Sequence, residues 1–374
     1  MMHLYLHIPF CKQKCSYCNF HFSTSFKQKA EMVDAICKEL KLRQHEITKP
    51  LETIYLGGGT PSVLDASEFY QIFQQIETLF EIAPNAEITL EANPDDLNAS
   101  KVKEIRQSPI NRLSMGVQSF FDEDLKLMNR AHTAQEADAS IKRSQDAGIE
   151  NISIDLIYGS PTTTNEMWKQ NLKKAIDLKV PHVSSYALTI EPKTIIQHQI
   201  NKGILADVDD EKQQHQFQMM VETLTSHGFD HYEISNFGKP DFYSKHNTSY
   251  WLGKLYTGVG PSAHGYNGRE RYWNIANNSK YIQSIQQNKL NQEREILSPN
   301  DILNELTMIG LRTVYGIDLK HLKDQIPEEL FAEWQENTKQ FIEEGKLVLK
   351  ENKLYLNPEF RFFADGIASD LFIV

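Results

Sequence analysis

The sequence predicts an α/β protein whose first part is an incomplete (β/α)6 barrel and whose C-terminal part is a helical, winged-helix-like cap. Two observations carry this prediction. Short β-rich runs alternate with stretches of helical periodicity, which is typical of parallel sheets, and polar residues follow the ends of several runs. An open doubly wound sheet would fit the alternation equally well, but barrel enzymes place their functional residues at the C-terminal ends of the strands.

The predicted elements follow one another along residues 1–236, which we expect to form the barrel. Six runs have the composition of strands in a parallel sheet, and they lie at residues 3–8, 53–56, 87–91, 112–116, 151–157 and 182–188. Apolar residues three and four positions apart predict helices in the intervening segments, at residues 26–47, 66–80, 99–107, 134–147 and 165–178.

Residues 237–374 form a predicted accessory region in two parts. Residues 237–297 are rich in Gly, Asn and Tyr, which predicts aromatic-rich, irregular loops over the barrel mouth. Residues 298–374 begin with a helical pattern and continue with two short runs, 346–349 and 353–356, on either side of Glu351-Asn352. The two runs predict a hairpin, and together with the helices they predict the winged-helix-like cap.

The charge and the N-terminus limit the classes of function. The formal net charge of −11 disfavours a nucleic-acid partner, because affinity for nucleic acid rests on Lys and Arg side chains that neutralise phosphates. No uninterrupted apolar stretch is long enough to cross a bilayer, and the first residues lack the basic region and apolar run of a signal peptide. We therefore expect a cytoplasmic protein whose partners are small molecules or proteins.

Three of the four cysteines crowd into the loop after the first predicted strand, at Cys11, Cys15 and Cys18. Thiolates are the usual ligands of a 4Fe-4S cluster, and three of them leave one iron without a protein ligand. A structural zinc site completed by His21 is the alternative, although zinc loops usually bring their ligands in two separated pairs. Cys37 falls on an apolar helical stripe, so we expect it to be a small buried hydrophobe.

Further candidate residues follow later strands. A glycine triplet at residues 57–59 ends the second predicted strand, where missing side chains let the backbone approach a ligand carboxylate. Glu91, Gln118 and Asp155 each follow an apolar run and are expected to face the barrel mouth. Arg130 could pair with a carboxylate of a ligand. For each of these polar residues, an ordinary salt bridge or cap is the alternative.

The loop Cys-x3-Cys-x2-Cys, together with Gly57-Gly58-Gly59-Thr60-Pro61, resembles the radical S-adenosylmethionine (SAM) superfamily. In that superfamily SAM chelates the fourth iron, and an electron from the reduced cluster cleaves SAM to a 5'-deoxyadenosyl radical. Three further segments are similar to the oxygen-independent coproporphyrinogen III oxidase family: Leu113-Ser114-Met115-Gly116-Val117-Gln118-Ser119-Phe120, Asn129-Arg130 and Ile154-Asp155-Leu156-Ile157-Tyr158-Gly159. The resemblance implies SAM contacts from Tyr5, Tyr17, Gly58, Gly59, Thr60, Glu91, Gln118, Arg130, Asp155 and Ala187.

Two departures separate this sequence from the decarboxylating enzymes of that family. Phe20 stands where their loop continues to a fourth cysteine, and they carry an N-terminal extension, whereas this sequence begins close to its first predicted strand. Both departures match the HemW subgroup, whose members are proposed haem chaperones. The motif His-Asn-x-x-Tyr-Trp of that subgroup is similar to a segment here and implies haem contacts from His246, Asn247, Tyr250 and Trp251.

The chemistry of that motif suits haem, since imidazole is a common axial ligand of haem iron and Tyr and Trp can stack on a porphyrin. A hydrogen-bonded loop histidine packed on aromatic rings is the alternative for His246, and His264 and His7 are competing ligands. From the resemblance we expect a haem chaperone with a SAM-chelated 4Fe-4S cluster that transfers haem to an acceptor protein. That acceptor could be membrane-bound, and flavodoxin or ferredoxin is the expected electron donor.

An enzyme is the alternative function. A deoxyadenosyl radical would then abstract hydrogen from a porphyrinogen propionate, with loss of carbon dioxide, as in the coproporphyrinogen III oxidases. RNA modification by radical SAM chemistry is disfavoured by the acidic charge. Whether SAM is cleaved is left open by the sequence.

Overall fold

The computed structural model describes residues 2–374, and its first half is a regular alternation of strands and helices. The strands are β1 (Met2–Ile8), β2 (Leu51–Gly58), β3 (Ile82–Ala92), β4 (Arg112–Gln118), β5 (Ile152–Tyr158) and β6 (His182–Ala187). The helices are α1 (Lys29–Leu42), α2 (Ala66–Leu79), α3 (Ala99–Arg106), α4 (Asp122–Leu127), α5 (Ala134–Asp146), α6 (Asn165–Asp177), α7 (Ile195–Asn201) and α8 (Asp210–Ser226). All six predicted strands and all five predicted helices are confirmed, with ends that differ by a few residues.

Several helix boundaries have a clear local cause. The side chain of Asp65 accepts a hydrogen bond from the main-chain N–H of Glu68, while the Glu68 carboxylate binds the N–H of Asp65, and this capping box starts α2. Thr133 and Glu136 form the same reciprocal pair at the start of α5. The predicted helix starts at residues 66 and 134 are therefore correct because the capping residues are local in sequence.

The predicted irregular loops over residues 237–297 are wrong, because the segment forms regular elements. These are α9 (Lys245–Trp251), β9 (Tyr256–Val259), β10 (His264–Tyr266), β11 (Glu270–Asn274), α10 (Asn278–Gln286) and β12 (Gln292–Ile296), after the hairpin β7 (Asp230–Glu233) and β8 (Asn236–Gly238). The predicted boundary between residues 236 and 237 falls inside β8. Short strands that contain glycine lack the β-rich composition from which the first six were predicted.

Strands β1 to β12 form one twelve-stranded sheet, in the order β12-β11-β10-β9-β1-β2-β3-β4-β5-β6-β8-β7. Strands β1 to β6 are parallel, and β9 joins β1 in parallel with Leu6 opposite Val259. The remaining strands extend both sides in antiparallel pairs. The carboxyl ends of seven parallel strands therefore lie along one edge of the sheet, and the predicted α/β fold class is confirmed.

The C-terminal part has its own sheet and core. It contains α11 (Pro299–Leu311), β13 (Ile317–Asp318), α12 (Leu319–Gln325), α13 (Glu328–Glu343), β14 (Leu347–Lys350), β15 (Lys353–Leu356) and α14 (Ala364–Asp370). The predicted hairpin is confirmed, with Val348 opposite Tyr355, and β13 completes a three-stranded sheet. Trp334 and Leu322 are fully buried in a separate hydrophobic cluster. This part is called the cap below.

The cap is attached to the large sheet at the β7 hairpin. The N–H of Ile234 donates to the carbonyl of Arg312 at 3.0 Å, and the Arg312 guanidinium lies 3.3 Å from the buried carboxylate of Glu233. Arg361 donates to the carbonyl of His231 at 2.9 Å. Among residues 2–374, no helix is both long enough and apolar enough to span a membrane.

A buried polar network fixes strands β9 to β11 against α1. The carboxylate of Glu39 accepts hydrogen bonds from Arg43 at 2.7 Å, Asn274 at 2.8 Å, Tyr281 at 2.6 Å and the N–H of Gly260 at 2.9 Å. Glu39 and Arg43 are both fully buried. Breaking a buried pair is costly, because the group that remains loses its partner in a place that water does not reach.

We expect Arg43→Ala to lower the free energy of unfolding by about 3–5 kcal/mol, measured by urea denaturation. The matched control is Lys173→Ala, which removes an ion pair of the same i,i+4 spacing with Asp177, both of whose side chains are largely exposed. That change should cost less than about 1 kcal/mol. Equal effects of the two substitutions would show that the buried network does not stabilise the fold.

Candidate functional site

The three clustered cysteines lie half-buried on the loop after β1, and none of them forms a disulfide. The main chain on both sides of the loop is fixed. The N–H of Cys11 donates to the carbonyl of Ser23 at 3.1 Å, and the N–H of Ser16 donates to the carbonyl of Met128 at 3.0 Å. These bonds hold the cysteine side chains beside the carboxyl ends of the strands. Cys37 is buried in the core of α1, as expected.

Two cysteine sulfurs receive hydrogen bonds from outside the loop. The hydroxyl of Thr60 lies 3.4 Å from Sγ of Cys11, and the guanidinium of Arg130 lies 3.1 Å from Sγ of Cys15. Burial raises the pKa of the Cys11 thiol to about 11, although the Thr60 bond offsets part of the shift. Iron binds thiolates, so cluster assembly on this loop must release protons. Donors aimed at sulfur suit the thiolates of an iron-sulfur cluster.

The zinc alternative fits the side chains less well. Nε2 of His21 is bonded to the side-chain oxygen of Asn278 at 2.7 Å, so that nitrogen is already engaged. Within residues 2–374, no three His, Cys, Asp or Glu side chains surround a position for a single metal ion. In a cubane cluster each thiolate binds a different iron, so its ligands need not converge on one point. The donor set therefore fits a 4Fe-4S cluster.

The glycine turn after β2 lies against β1. Gly58 has φ +103°, and a Cβ there would lie 2.5 Å from the ring of His7, so a side chain is excluded on both grounds. The N–H of Gly58 donates to the carboxylate of Glu91 at 3.1 Å. The turn is thus the predicted close approach of bare backbone, and its ligand contact stays a prediction.

Two carboxylates lie behind that turn, Glu91 on β3 and Asp155 on β5, with β4 between the two strands. Burial raises the pKa of Glu91, although Tyr55 donates to it at 2.8 Å. Burial, followed by the negative charge of Glu91, raises the pKa of Asp155 to about 7. Both carboxyl groups therefore favour a cation beside them, and SAM carries a sulfonium and an ammonium group. This pair suits the role that the resemblance implied for Glu91 and Asp155.

Arg130 connects the cluster loop to β4. Besides Cys15, its guanidinium donates to the side chain of Asn93 at 2.6 Å and to the carbonyl of Gly116 at 2.7 Å. Gln118, at the end of β4, is buried and has φ +67°, an uncommon conformation for a residue with a side chain. The predicted pairing of Arg130 with a ligand carboxylate is untested, but three protein groups already orient it.

Nine of the ten residues implied for SAM lie in strands β1 to β6 or in the loops that follow them, and Arg130 lies between α4 and α5. Tyr17 is on the cluster loop, Thr60 follows the glycine turn, and Ala187 ends β6. The ring of Tyr5, on β1, stacks on that of Tyr55, with ring centroids 6.1 Å apart. The structure thus brings the implied SAM residues together along one edge of the sheet, beside the cysteines.

A cavity of about 680 Å³ opens from this edge toward the cap. Tyr5, Gly58 and Glu91 line the end nearest the cluster loop. The other walls come from the end of α9, strands β9 to β11, and the cap helices α11 and α12. Their lining residues include Tyr250, Trp251, Tyr256, His264, Tyr266, Arg271, Ile302, Leu306, Ile309 and His321. Phe20, at the position of the missing fourth cysteine, also lines the cavity and is 71% exposed.

The four residues implied for haem all lie on α9, but only Tyr250 and Trp251 line the cavity. His246 is buried, with Nδ1 bonded to the hydroxyl of Thr53 at 2.6 Å and Nε2 to that of Tyr250 at 2.7 Å. Burial holds its pKa well below the usual value, so the ring is neutral. Ligation of iron by His246 stays a prediction, and it would require breaking one of these bonds.

Several cavity residues were not predicted from the sequence. Arg271 and Glu305 form an ion pair of 2.7 Å between β11 and α11. Ile302, Leu306 and Ile309 contribute the apolar wall of the cap. The 3.6-residue periodicity of α11 predicts a helix but does not show which of its faces meets another part of the chain. No local signal in the sequence would have found this surface.

Comparisons with known proteins decide the family. The model of the radical SAM superfamily matches residues 5–175, and that of the HemN C-terminal domain matches residues 297–363. A Lactococcus lactis protein named heme chaperone HemW is 36% identical over 88% of this chain and 87% of its own length. The Bacillus subtilis protein of the same name is 32% identical over 98% of both chains. The chain belongs to the HemW family.

Similar proteins are also found outside bacteria. A zebrafish (Danio rerio) protein named radical S-adenosyl methionine domain-containing protein 1, mitochondrial, is 30% identical over 87% of this chain and 76% of its own. The structure of coproporphyrinogen III oxidase (HemN) from Escherichia coli superposes with a TM-score of 0.86, covering 99% of this chain and 89% of that one. At 22% identity, this likeness shows the shared radical SAM fold alone. The predicted superfamily and HemW subgroup are confirmed.

As a radical SAM protein, this HemW family member binds a 4Fe-4S cluster and SAM. The cluster supplies an electron and an iron at which SAM is chelated. Cys11, Cys15 and Cys18 would hold the cluster, with Thr60 and Arg130 donating hydrogen bonds to sulfur. The carboxylates of Glu91 and Asp155 would orient SAM through its cationic groups.

We expect Ala in place of Cys11, Cys15 or Cys18 to abolish cluster assembly after anaerobic reconstitution, because each substitution removes an iron ligand. Iron and sulfide content and the visible charge-transfer absorption measure the loss. Cys37→Ala is the matched control, since that thiol is buried in α1, and it should retain the full iron content. A cluster that survives in all three single variants would contradict the assignment.

The affinity of this HemW family member for SAM should rise by about tenfold from about pH 6 to about pH 8. The ligand-free carboxyl of Asp155 has a pKa of about 7, and a bound cation favours its ionised form, so binding releases a proton below that pH. Calorimetric titration of the reconstituted protein in two buffers of different ionisation enthalpy measures this release. Asp155→Asn should bind SAM with a shallower pH profile than the wild type, because one of the two carboxylates no longer titrates, and profiles of equal slope would contradict this role.

Proposed function

We propose that this HemW family protein is a haem chaperone that binds haem between its sheet and its cap and transfers it to an acceptor protein. One observation carries the proposal. The cavity of about 680 Å³ runs from Tyr5, Gly58 and Glu91, three of the residues implied for SAM, to a wall of aromatic and apolar side chains. Relatives at 36% and 32% identity are named heme chaperones, which agrees with a haem site in this cavity.

The walls of the cavity suit a tetrapyrrole. Pockets for ligands of this class usually have volumes of about 300–1,000 Å³, mostly apolar walls and a few placed polar groups. Here the apolar wall comes from α11 and the aromatic wall from α9, β9 and β10. Lys254 and Arg271 line the same cavity and supply cations for the two propionates. The ligand would therefore lie flat between two packed surfaces.

The cluster gives the chaperone a redox input. Gln13, Lys14, Asn19 and Phe20 are exposed on the cluster loop, so a partner can approach the cluster directly. We propose that flavodoxin or ferredoxin donates the electron there and that cluster reduction or SAM binding triggers haem release. The acceptor, which could be membrane-bound, and a cytoplasmic place of action stay predictions.

The test is a transfer assay with the intact, cluster-loaded protein. Haem-loaded protein is mixed with an excess of an apo-haemoprotein, with and without SAM and a reductant, and haem is followed by optical spectroscopy. The proposal expects stoichiometric haem binding and transfer that is faster with SAM and reductant than without them. A wild-type preparation that binds no haem, or that instead converts coproporphyrinogen, would refute the chaperone and favour the oxidase.

We expect Leu306→Trp to weaken haem binding by about tenfold or more, because Leu306 lines the cavity and the larger side chain fills part of it. Haem titration gives the dissociation constant, and iron content shows that the cluster is intact. The matched control is Leu349→Trp in the same cap, where the side chain is 52% exposed on β14. Equal affinity in the two variants would place the haem outside this cavity.

A further inference from the structure

His264 is placed on the cavity wall by the edge of the large sheet. It begins β10, where its residue pair is Trp273 of β11, and the two rings stack with centroids 5.9 Å apart. The side chain is exposed at the cavity and lies among Tyr256, Tyr266 and Arg271. The stack on Trp273 fixes the ring on one side and leaves the other side toward the cavity.

The backbone of this position is tightly built. Gly258 of β9 has the carbonyl of His264 in the space that a Cβ would occupy, so the two strands approach closely because residue 258 has no side chain. The turn that begins at Gly260 and leads to His264 is fixed by Asn274, whose side chain donates to the carbonyl of Gly260 at 2.9 Å. The same side chain accepts a hydrogen bond from Arg43 at 3.0 Å. The imidazole is therefore carried by a preorganised strand and not by a mobile loop.

The ring of His264 is available as a ligand. Among residues 2–374, no hydrogen bond to the ring of His264 contributes to its pKa. Burial, followed by the positive charge of Arg271, lowers that pKa, so the ring is neutral near pH 7. Haem iron and other metals bind the neutral imidazole through a free nitrogen.

The other histidines near the cluster side are already engaged. Nε2 of His7 is bonded to the carbonyl of His21 at 2.9 Å, and Nδ1 lies 3.3 Å from the hydroxyl of Tyr5. Nε2 of His21 is bonded to the side-chain oxygen of Asn278 at 2.7 Å. His246 uses both ring nitrogens. Among residues 2–374, His264 is thus the sheet-side histidine that lines the cavity without a hydrogen-bond partner for its ring nitrogens.

The groups around His264 match the remaining parts of a haem. Tyr256 and Tyr266, with ring centroids 6.4 Å apart, continue the aromatic wall beside it. Arg271 follows on β11, where its only carboxylate partner in the described chain is Glu305, at 2.7 Å. The side chains of Arg271 and Glu305 are each about one-third exposed, so a propionate can reach the guanidinium as well.

We infer that His264, and not His246, is the axial ligand of the haem iron, with Arg271 beside a propionate. The inference rests on the proposed haem-chaperone function and names the ligand of that same site. In this arrangement Tyr250 and Trp251 form part of the aromatic wall, while His246 holds α9 against Thr53 of β2.

The experiment compares ferric haem in the full-length, cluster-loaded wild type and in His264→Ala by electron paramagnetic resonance and magnetic circular dichroism, with the cluster oxidised. We expect the variant to lose the imidazole-ligation signature and to bind haem at least about tenfold more weakly. Added imidazole should restore the signature, since it can occupy the space left by the side chain. His227→Ala, an exposed histidine at the end of α8, is the control.

His246→Gln tests the competing ligand. The inference expects this variant, once its cluster content shows that it is folded, to keep the wild-type ligation signature. A signature that survives in His264→Ala and disappears in His246→Gln would overturn the assignment of His264 while leaving the chaperone function intact. Failure of the wild type itself to bind haem would overturn the proposed function and this inference together.

Discussion

The carboxylate of Glu39 is the buried group on which the extended sheet depends. It accepts hydrogen bonds from α1, from the turn after β9, from β11 and from α10, and every one of these partners is distant in sequence except Arg43. An unpaired carboxylate at this depth would be strongly destabilising, so the four elements must come together to satisfy it. The strands that this network fixes beside β1 are those that carry one wall of the cavity.

The cavity therefore lies between two parts of the fold that have separate hydrophobic cores. One is the row of parallel strand ends, where main-chain turns and carboxylates gather beside the cysteine loop. The other is the cap, a separately cored unit whose attachment runs through Arg312 and Glu233 at the β7 hairpin. Neither surface encloses a large ligand alone. A haem held between them would contact both, so both surfaces would contribute to its affinity.

The parts predicted from the sequence were those with local signals. Strands β1 to β6 are separated by helices with clear periodicity, and the three closely spaced cysteines favour a cluster over a zinc site. The regular elements within residues 237–297, which the sequence predicts as loops, are hidden because their strands are short and contain glycine. The bonds that hold them also reach far along the chain, as from Asn274 to Glu39, 235 residues apart. The surroundings of His246 were equally hidden, since Thr53 is 193 residues away.

The continuity of the cavity has a thermodynamic consequence. Three residues implied for SAM (Tyr5, Gly58 and Glu91) line the same cavity as the residues proposed for haem, so each ligand would change the surroundings of the other. Coupling between two sites is reciprocal: whatever factor SAM applies to the affinity for haem, haem applies to the affinity for SAM. If SAM promotes release by lowering the affinity for haem, bound haem must therefore lower the affinity for SAM by the same factor.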